Sequence, residues 1–251
     1  MKIFSFEKVI LFVLTTLSLS GFAQIPVFEW ASNQQYVGMF QERCITTDSS
    51  ENVIITGYFS GYHDFDPGPT DLLIQAVGAH DFYVVKLDPS GNLLWVKTFP
   101  STANPGASNK AYSVVTDSSD NIYVSGSYYG PIDFDPGPGV HTLTPVTAVS
   151  LGFVFSLDSN GDFRWAHSLP LYGNTLSDNH DMAYGNDGSI ILADRFSNTT
   201  DFDLGLGVFE VTPSSSNDLY VLKLDLDGNF VWVKTFEGYF QSYYALTTHD
   251  S

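Results

Sequence analysis

The chain has 251 residues, which is enough for one large domain or two small ones. Its 28 acidic and 10 basic side chains give a net charge of −18, and this deficit of Lys and Arg argues against a protein that binds nucleic acid through its phosphates. Hydrophobic residues make up 43% and aromatic residues 15% of the chain, so the composition also excludes a disordered acidic polypeptide and predicts a sizeable core.

The first 23 residues have the pattern of a secretory signal peptide. Two lysines precede an apolar stretch over residues 9–19, and Gly21 and Ala23 then supply the small side chains that precede a cleavage site. We therefore predict a signal peptide at residues 1–23 and a protein that is secreted or held at the cell surface. The alternative is a single membrane anchor, for which the apolar stretch is short, and no later stretch is long and apolar enough to span a bilayer.

Three sequence markers recur in the same order with a period of about 68 residues. Similar stretches place Trp95, Trp165 and Trp232 at spacings of 70 and 67 residues. The triplet Asp-Phe-Asp begins at residues 64, 133 and 201, at spacings of 69 and 68. A third marker begins at Asp48 and Asp117 with Asp-Ser-Ser, and a weaker copy follows in the third position. Because three markers share one period and one order, we predict three structural repeats.

Each repeat has the pattern of β-strands, with short runs of β-branched and aromatic residues between turn residues. In the middle repeat we predict strands at 110–116, 121–128, 150–157 and 162–168. The first repeat contains Asp-Pro-Ser-Gly at residues 88–91, which has the residue preferences of a type I turn. No useful window shows the period of a helix, so we expect an all-β protein.

Repeated four-stranded antiparallel units predict a β-propeller in which each repeat is one blade. We expect three full blades at about 36–99, 105–169 and 175–236, with residues 24–32 as the outer strand of a closing blade and residues 240–251 as the start of a further one. Since a propeller ring has at least about four blades, we expect this propeller to be incomplete and part of a longer protein. The alternative is a row of separate β-sandwiches, although one repeat is shorter than a typical sandwich.

Three motifs resemble a known repeat family. The paired strands with Asp-x-x-Gly-Asn-x-x-Trp-x-Lys, the strand with Asn-x-x-x-(Thr/Ser)-Gly and the loop Phe-Asp-Pro-Gly-Pro are similar to the SBBP-type β-propeller repeats of secreted and surface-associated bacterial proteins. The resemblance covers about residues 26–251 and is specific for the fold but not for an activity. Many larger proteins with such repeats carry a C-terminal type IX secretion sorting domain, so the resemblance implies that route of export.

The Asp-Phe-Asp triplets supply the candidate site residues. In an extended segment, residues i and i+2 point to the same side, so each triplet presents two carboxylates together. Calcium prefers several oxygen ligands of this kind, and calcium is therefore the candidate cofactor. The alternative interpretation is that the carboxylates cap the turn made by the following Pro-Gly, while the Phe anchors the loop on its blade. The candidate metal ligands are Asp64, Asp66, Asp133, Asp135, Asp201 and Asp203.

The sequence contains no recognisable catalytic motif. The six histidines occupy no shared repeat position, and neither a Gly-x-Ser-x-Gly elbow nor a His-Glu-x-x-His motif is present. Cys44, the single cysteine, lacks the surroundings of a reactive nucleophile and is expected to be a small buried side chain. Pairs among the 28 acids leave open one catalytic alternative, a propeller hydrolase or lyase that acts on polysaccharide.

We expect an exported, non-catalytic β-propeller scaffold with a binding or structural role at the cell surface or outside the cell. Its expected partner is an extracellular protein or glycan, and neither nucleic acid nor a membrane span is expected in the mature chain. In an up-and-down blade, the Asp-Phe-Asp loops emerge on the same face as the connections between blades, near residues 100–110 and 171–180. Because rigid scaffolds commonly carry binding residues on such loops, we predict the ligand site there.

Overall fold

The computed structural model describes residues 36–100, 106–145, 150–169 and 181–238. The predicted signal peptide at 1–23, the predicted closing strand at 24–32 and the predicted further blade at 240–251 lie outside these described residues. In the described ranges, no helix is long and apolar enough to cross a membrane.

All regular secondary structure in the described residues is β, which confirms the predicted fold class. The strands are β1 (Tyr36–Val37), β2 (Phe40–Thr47), β3 (Val53–Phe59), β4 (Tyr62–Asp64), β5 (Leu73–Gln75), β6 (Asp81–Leu87), β7 (Leu93–Phe99), β8 (Lys110–Thr116), β9 (Ile122–Tyr128), β10 (Ile132–Asp133), β11 (Thr142–Leu143), β12 (Leu151–Leu157), β13 (Phe163–Leu169), β14 (Asp181–Gly185), β15 (Ser189–Phe196), β16 (Thr200–Asp201), β17 (Glu210–Val211), β18 (Asp218–Asp225) and β19 (Phe230–Phe236).

Three four-stranded antiparallel sheets contain most of these strands. Sheet 1 has the order β2-β3-β6-β7, sheet 2 the order β8-β9-β12-β13 and sheet 3 the order β14-β15-β18-β19. In each sheet the four strands follow one another along the chain as a meander, and the strands of sheet 2 lie within one residue of the predicted bounds. Three sheets of this kind are consistent with propeller blades. The proposed division of the chain into blades and terminal fragments stays a prediction.

A short two-stranded ribbon connects the second and third strands of each sheet. Ribbon 1 pairs β4 with β5 and adds β1, ribbon 2 pairs β10 with β11, and ribbon 3 pairs β16 with β17. Each ribbon carries one Asp-Phe-Asp triplet where its first strand ends. These ribbons account for a repeat longer than the roughly 40–50 residues that are usual for one blade.

The sheets pack face to face in chain order. The first face of a sheet is the one that carries Phe59, Tyr128 or Phe196, and the second face is the opposite one. The second face of sheet 1, with Ile54 and Phe82, shares a hydrophobic cluster with the first face of sheet 2. The second face of sheet 2 shares another cluster with the first face of sheet 3. Because strand side chains alternate between faces, a middle sheet can bury both of its faces in this way.

The tight turns at the opposite end from the ribbons are closed by aspartate side chains. Asp88 Oδ1 accepts hydrogen bonds from the backbone N–H groups of Ser90 and Asn92, at 2.9 and 2.8 Å. The same arrangement recurs at Asp158 and Asp225. Gly91, like its counterparts in sheets 2 and 3, has a φ of +82°, a left-handed conformation that glycine adopts without steric cost. This pattern confirms the predicted turn residues.

Candidate functional site

Ribbon 1 is held by its two aspartates. Asp64 Oδ1 accepts hydrogen bonds from the backbone N–H groups of Asp66 and Leu72, at 3.1 and 2.8 Å. Asp66 Oδ1 accepts a further one from the N–H of Gly68, at 2.8 Å. One oxygen of each carboxylate therefore fixes the backbone of the ribbon tip, in the manner of an Asx turn.

Ribbons 2 and 3 repeat these hydrogen bonds. Asp133 Oδ1 accepts from the N–H groups of Asp135 and His141, and Asp201 Oδ1 accepts from those of Asp203 and Phe209, all at 2.7–3.0 Å. Asp135 and Asp203 each accept from the glycine two residues on, at 2.7 and 3.0 Å. The loss of both prolines in ribbon 3 leaves this geometry unchanged, because the bonds use only the aspartates and the backbone.

The central Phe of each triplet anchors the ribbon on its own sheet. Phe65, Phe134 and Phe202 are fully buried, each at 0% exposure. Phe65 lies edge-on to Phe59 and Tyr83 at centroid distances of 5.1 Å. The alternative interpretation of the motif, with turn-capping carboxylates and an anchoring Phe, therefore agrees with the structure.

Calcium at these carboxylates stays a prediction. The structure places each aspartate pair in its own ribbon, and the described residues contain no group of three or more His, Cys, Asp or Glu side chains that could hold a metal ion. The second carboxyl oxygens of Asp135 and Asp203 lie where a side chain at Gly139 or Gly207 would overlap them. A side chain at either glycine would therefore displace that oxygen, while Thr70 stands at the matching place in ribbon 1.

The ribbon tips differ in the side chains that they expose. Ribbon 1 exposes Leu72 and Leu73, and ribbon 2 exposes Val140 at 79%. Ribbon 3 has the most apolar tip, with the exposed side chains Leu206, Val208 and Phe209. The sequence analysis missed these apolar side chains, although they lie within seven residues after the triplets in the sequence. A constant frame with variable apolar tips is an arrangement that can contact a ligand or a partner.

At the turn end, a buried lysine of sheet 1 forms an ion pair within its own sheet and a hydrogen bond to the next sheet. Lys86, 5% exposed, forms a 2.8 Å ion pair with Asp48 and donates a 3.0 Å hydrogen bond to the carbonyl oxygen of Ser159 in sheet 2. Burial by itself raises the pKa of Asp48, but the hydrogen bonds from Lys86 and Asn52 outweigh it and hold the pKa below its usual value. Asp48 is therefore a structural carboxylate, a role that the sequence analysis did not assign.

The fourth-strand tryptophans of sheets 1 and 2, Trp95 and Trp165, also contact the next sheet. Trp165 Nε1 donates a 3.0 Å hydrogen bond to the carbonyl oxygen of Leu226 in the last tight turn of sheet 3. A Cβ atom at Gly228 in the same turn would come within 2.9 Å of the Trp165 ring. The Asp-x-x-Gly turn and the Trp are thus the two halves of one contact between sheets, which explains why both recur with one period.

A cluster of aromatic and basic side chains lies between the first two sheets. The Arg43 guanidinium lies over the rings of Tyr58 and Tyr112, at 5.2 and 5.7 Å, and Lys110 Nζ lies 4.7 Å from the Tyr58 centroid. His80 packs edge-on to Tyr58 at 5.3 Å, and burial together with the Lys110 charge lowers its pKa. Cation–π contacts of this kind stabilise the interface, and none of these residues belongs to a sequence motif.

The described histidines pack as aromatic groups. His63 is fully buried, stacks on Phe40 at 3.6 Å, and has its pKa lowered to about 4 by burial. Burial also lowers the pKa of His167, which lies beside Trp165. Cys44 is half-buried, with Sγ 3.7 Å from the carbonyl oxygen of Val114. The expectation of a small buried side chain at Cys44 is met only in part, because Cys44 packs against the cluster between sheets 1 and 2 but is half-buried.

Comparison with known proteins gives a distant and partial similarity. The chain is 28% identical over 113 residues to an uncharacterised WD repeat-containing protein of Acanthamoeba polyphaga mimivirus, a match that covers 39% of this chain and 8% of the viral protein. The chain thus corresponds to a small part of the length of that relative. No known family model matches it. The similarity to a WD repeat-containing protein and the three repeated sheets agree on a propeller-like blade architecture.

Proposed function

We propose that this chain is part of an exported β-propeller scaffold of the SBBP type, which binds an extracellular protein or glycan and performs no catalysis. The resemblance of its motifs to SBBP-type repeats and the signal-like residues 1–23 support export and the family. The ribbons supply the contact surface in this proposal.

The observation that carries the proposal is that the three ribbons share the residues that hold the tip in place but differ in the side chains that the tip exposes. In each ribbon, two aspartates accept the same backbone hydrogen bonds and a buried Phe anchors the tip, while the exposed side chains change from ribbon to ribbon. A rigid frame lowers the entropic cost of binding, since the contact residues are already ordered before a ligand arrives. Exposed apolar groups on such a frame are typical of interaction surfaces.

The backbone hydrogen bonds that the aspartates accept argue against the catalytic alternative, a polysaccharide hydrolase or lyase. A general acid or nucleophile in polysaccharide cleavage needs a carboxyl group directed at the sugar. In all three ribbons, one oxygen of each aspartate already accepts backbone hydrogen bonds, and the two aspartates of a pair hold the same tip.

Binding without turnover is the test of this proposal. The full chain is applied to an array of polysaccharides and surface proteins, and the same polysaccharides are assayed for released sugar ends. We expect binding that falls at least about tenfold in the triple variant Leu206→Ser, Val208→Ser, Phe209→Ser, because the apolar tip of ribbon 3 is lost. The matched control Leu94→Ser removes an apolar side chain that is 50% exposed on β7 and is expected to bind normally.

Turnover would contradict the scaffold. Released product that disappears in a single Asp→Asn variant of one triplet would establish the hydrolase or lyase instead. Export is tested separately by N-terminal sequencing of the full chain after expression in a bacterial host with a secretion pathway. The proposal predicts a mature chain that begins at Gln24.

A further inference from the structure

The first strand of a ribbon can pair on both sides, as ribbon 1 demonstrates. Its first strand, β4, pairs with β5 on one side and with β1 on the other, where Val37 lies opposite Tyr62. We call the side that faces away from the second ribbon strand the outer edge. In the described residues, the first strands of ribbons 2 and 3 pair only with their own second strands. The fold therefore accepts a third strand at an edge that has none in the described parts of ribbons 2 and 3.

The residue at the position of Tyr62 determines which of these two edges can accept a strand. Two residues before each Asp-Phe-Asp triplet, Pro131 stands in ribbon 2 and Thr199 in ribbon 3. Proline has no backbone N–H group, and natural proteins use it to block the edges of sheets. Thr199 has an N–H group, and in the described ranges its hydrogen bonding is confined to the side chain, which lies 2.8 Å from the hydroxyl of Thr212. Ribbon 3 is therefore the better acceptor.

The backbone of Thr199 points towards the outer edge. The N–H group of Phe202 donates a 3.0 Å hydrogen bond to the carbonyl oxygen of Phe209, so Phe202 and Thr200 direct their backbone groups towards β17. Successive residues of a strand direct these groups to opposite sides, so those of Thr199 and Asp201 face away from β17. Both residues are exposed to solvent. The outer edge of ribbon 3 thus presents backbone donors and acceptors to solvent.

The side chains around this edge select the chemistry of an added strand. Ribbon 3 carries Asp201, Asp203 and Glu210 but neither Lys nor Arg. The same ribbon strand leads into the tip, where Leu206 and Val208 are exposed. Basic side chains on the added strand would complement the carboxylates, and apolar ones would cover the tip.

We infer that the outer edge of ribbon 3 binds an extended segment of a partner protein by β-strand addition. Backbone hydrogen bonds to Thr199 and Asp201 supply the pairing, and a basic, β-branched sequence complements the surroundings. This inference rests on the proposed function and narrows its partner to a polypeptide, because a glycan lacks the regular row of amide donors and acceptors that matches a strand edge.

The chain itself offers a weaker candidate for this edge. At the repeat period, Gly173 and Asn174 correspond to the two residues of β1. Gly and Asn are depleted in strands, whereas the Tyr and Val of β1 are enriched in them. A partner segment therefore suits the edge better than the connection that precedes sheet 3.

Peptide selection on the full chain tests the inference. A phage-displayed library of peptides of about 12 residues is selected on the immobilised chain, and the strongest binder is synthesised with and without methyl groups on its backbone nitrogens. We expect basic peptides rich in β-branched residues. Their affinity should fall at least about tenfold on methylation, because the backbone hydrogen bonds of the added strand are lost.

Two variants at one position separate the backbone from the side chain. Thr199→Pro removes the N–H group and suits the ribbon, since Pro131 stands at the same place in ribbon 2. We expect this variant to bind the selected peptide at least about tenfold more weakly. The matched control Thr199→Val keeps the N–H group and should bind it as the original chain does. Equal affinity of the two variants would overturn pairing at this edge.

The remaining outcomes distinguish this inference from the proposed function. If the array yields a glycan ligand and the library yields no peptide, strand addition is wrong and the scaffold proposal stands. A Thr199 amide proton that already exchanges slowly with solvent in the free chain would also exclude strand addition, because the edge would then be occupied by the chain itself. If neither the array nor the library yields a ligand, both proposals fail.

Discussion

Individual aspartates in this protein act mainly as acceptors for the backbone. Asp133 shows the pattern, because its Oδ1 accepts from two N–H groups of ribbon 2. A side chain that satisfies two donors in a loop stabilises the fold by removing the cost of leaving them unpaired. The same logic explains the turn aspartates Asp88, Asp158 and Asp225.

Removal of one such acceptor should be measurable. Asp133→Ala is expected to lower the free energy of unfolding by about 1–3 kcal/mol, since two N–H groups lose their partner. Asp133→Asn keeps one carbonyl oxygen and should cost less. Urea unfolding of the full chain measures both, with Asp71→Ala at the exposed tip of ribbon 1 as the control. Equal stability of all three variants would contradict the capping role.

Gly228 is constrained both by its left-handed backbone and by its contact with Trp165, and a comparison with Gly188 separates the two effects. Gly228 has a φ of +82° and lies under the Trp165 ring, whereas Gly188 has a φ of +72° with open space around its missing side chain. Gly188→Ala should cost about 1–2 kcal/mol from the left-handed conformation alone. Gly228→Ala should cost more because its Cβ also meets the Trp165 ring. Thermal or urea unfolding compares them, and an equal loss would show that the contact does not matter.

His63 should make stability depend on pH. Because burial lowers its pKa from 6.5 to about 4 in the folded state, the unfolded chain binds the proton first. Its contribution is therefore complete above about pH 6.5 and is lost as the pH falls towards 4. His63→Phe keeps the stacked aromatic ring and should reduce the loss of stability between pH 7 and pH 4.5. An unchanged pH profile in that variant would show that His63 is not the group responsible.

At the scale of the elements, the ribbon is the unit that gives each repeat its surface. Two strands of two or three residues do not form a stable hairpin by themselves, so the buried Phe and the aspartate hydrogen bonds hold the ribbon on its sheet. The apolar tip is then free to vary without loss of the frame.

The calcium prediction belongs to this element. Because one oxygen of each aspartate already accepts backbone N–H groups, the capping role predicts an unchanged melting temperature when a chelator is added to the full chain. The comparison uses differential scanning calorimetry with calcium and with chelator. A midpoint that rises with calcium, and no longer does so in Asp135→Asn or Asp203→Asn, would instead establish calcium binding at the ribbons.

Local sequence patterns predicted the main strands and turns well, but they did not predict the contacts between residues far apart in sequence. The strands of sheet 2 and the Asp-x-x-Gly turns followed from alternation and turn residues, which act over a few positions. The Lys86–Asp48 ion pair and the contact of Trp165 with Leu226 join residues far apart in sequence, so no local pattern contains them. The short strands of the ribbons were also missed, since two or three residues give no periodicity.

For the whole molecule, the important feature is that each sheet buries the apolar face of the sheet before it. Sheet 2 buries both faces, one against sheet 1 and one against sheet 3. In repeat proteins, stability is a sum of repeat terms and nearest-neighbour terms, so contacts between sheets decide how cooperative the molecule is. The Trp and the turn glycine recur in each repeat because together they form the contact between successive sheets.

Trp165 and Trp232 test this account most directly. They occupy the same strand position, but Trp165 contacts the next sheet, whereas Trp232 lies on the face of sheet 3 that points away from sheet 2. Urea unfolding of the full chain should show a loss of about 2–4 kcal/mol for Trp165→Ala and clearly less for Trp232→Ala, because only the first substitution removes a packed contact between sheets. Equal losses for the two variants would contradict the claim that successive sheets are held together through these contacts.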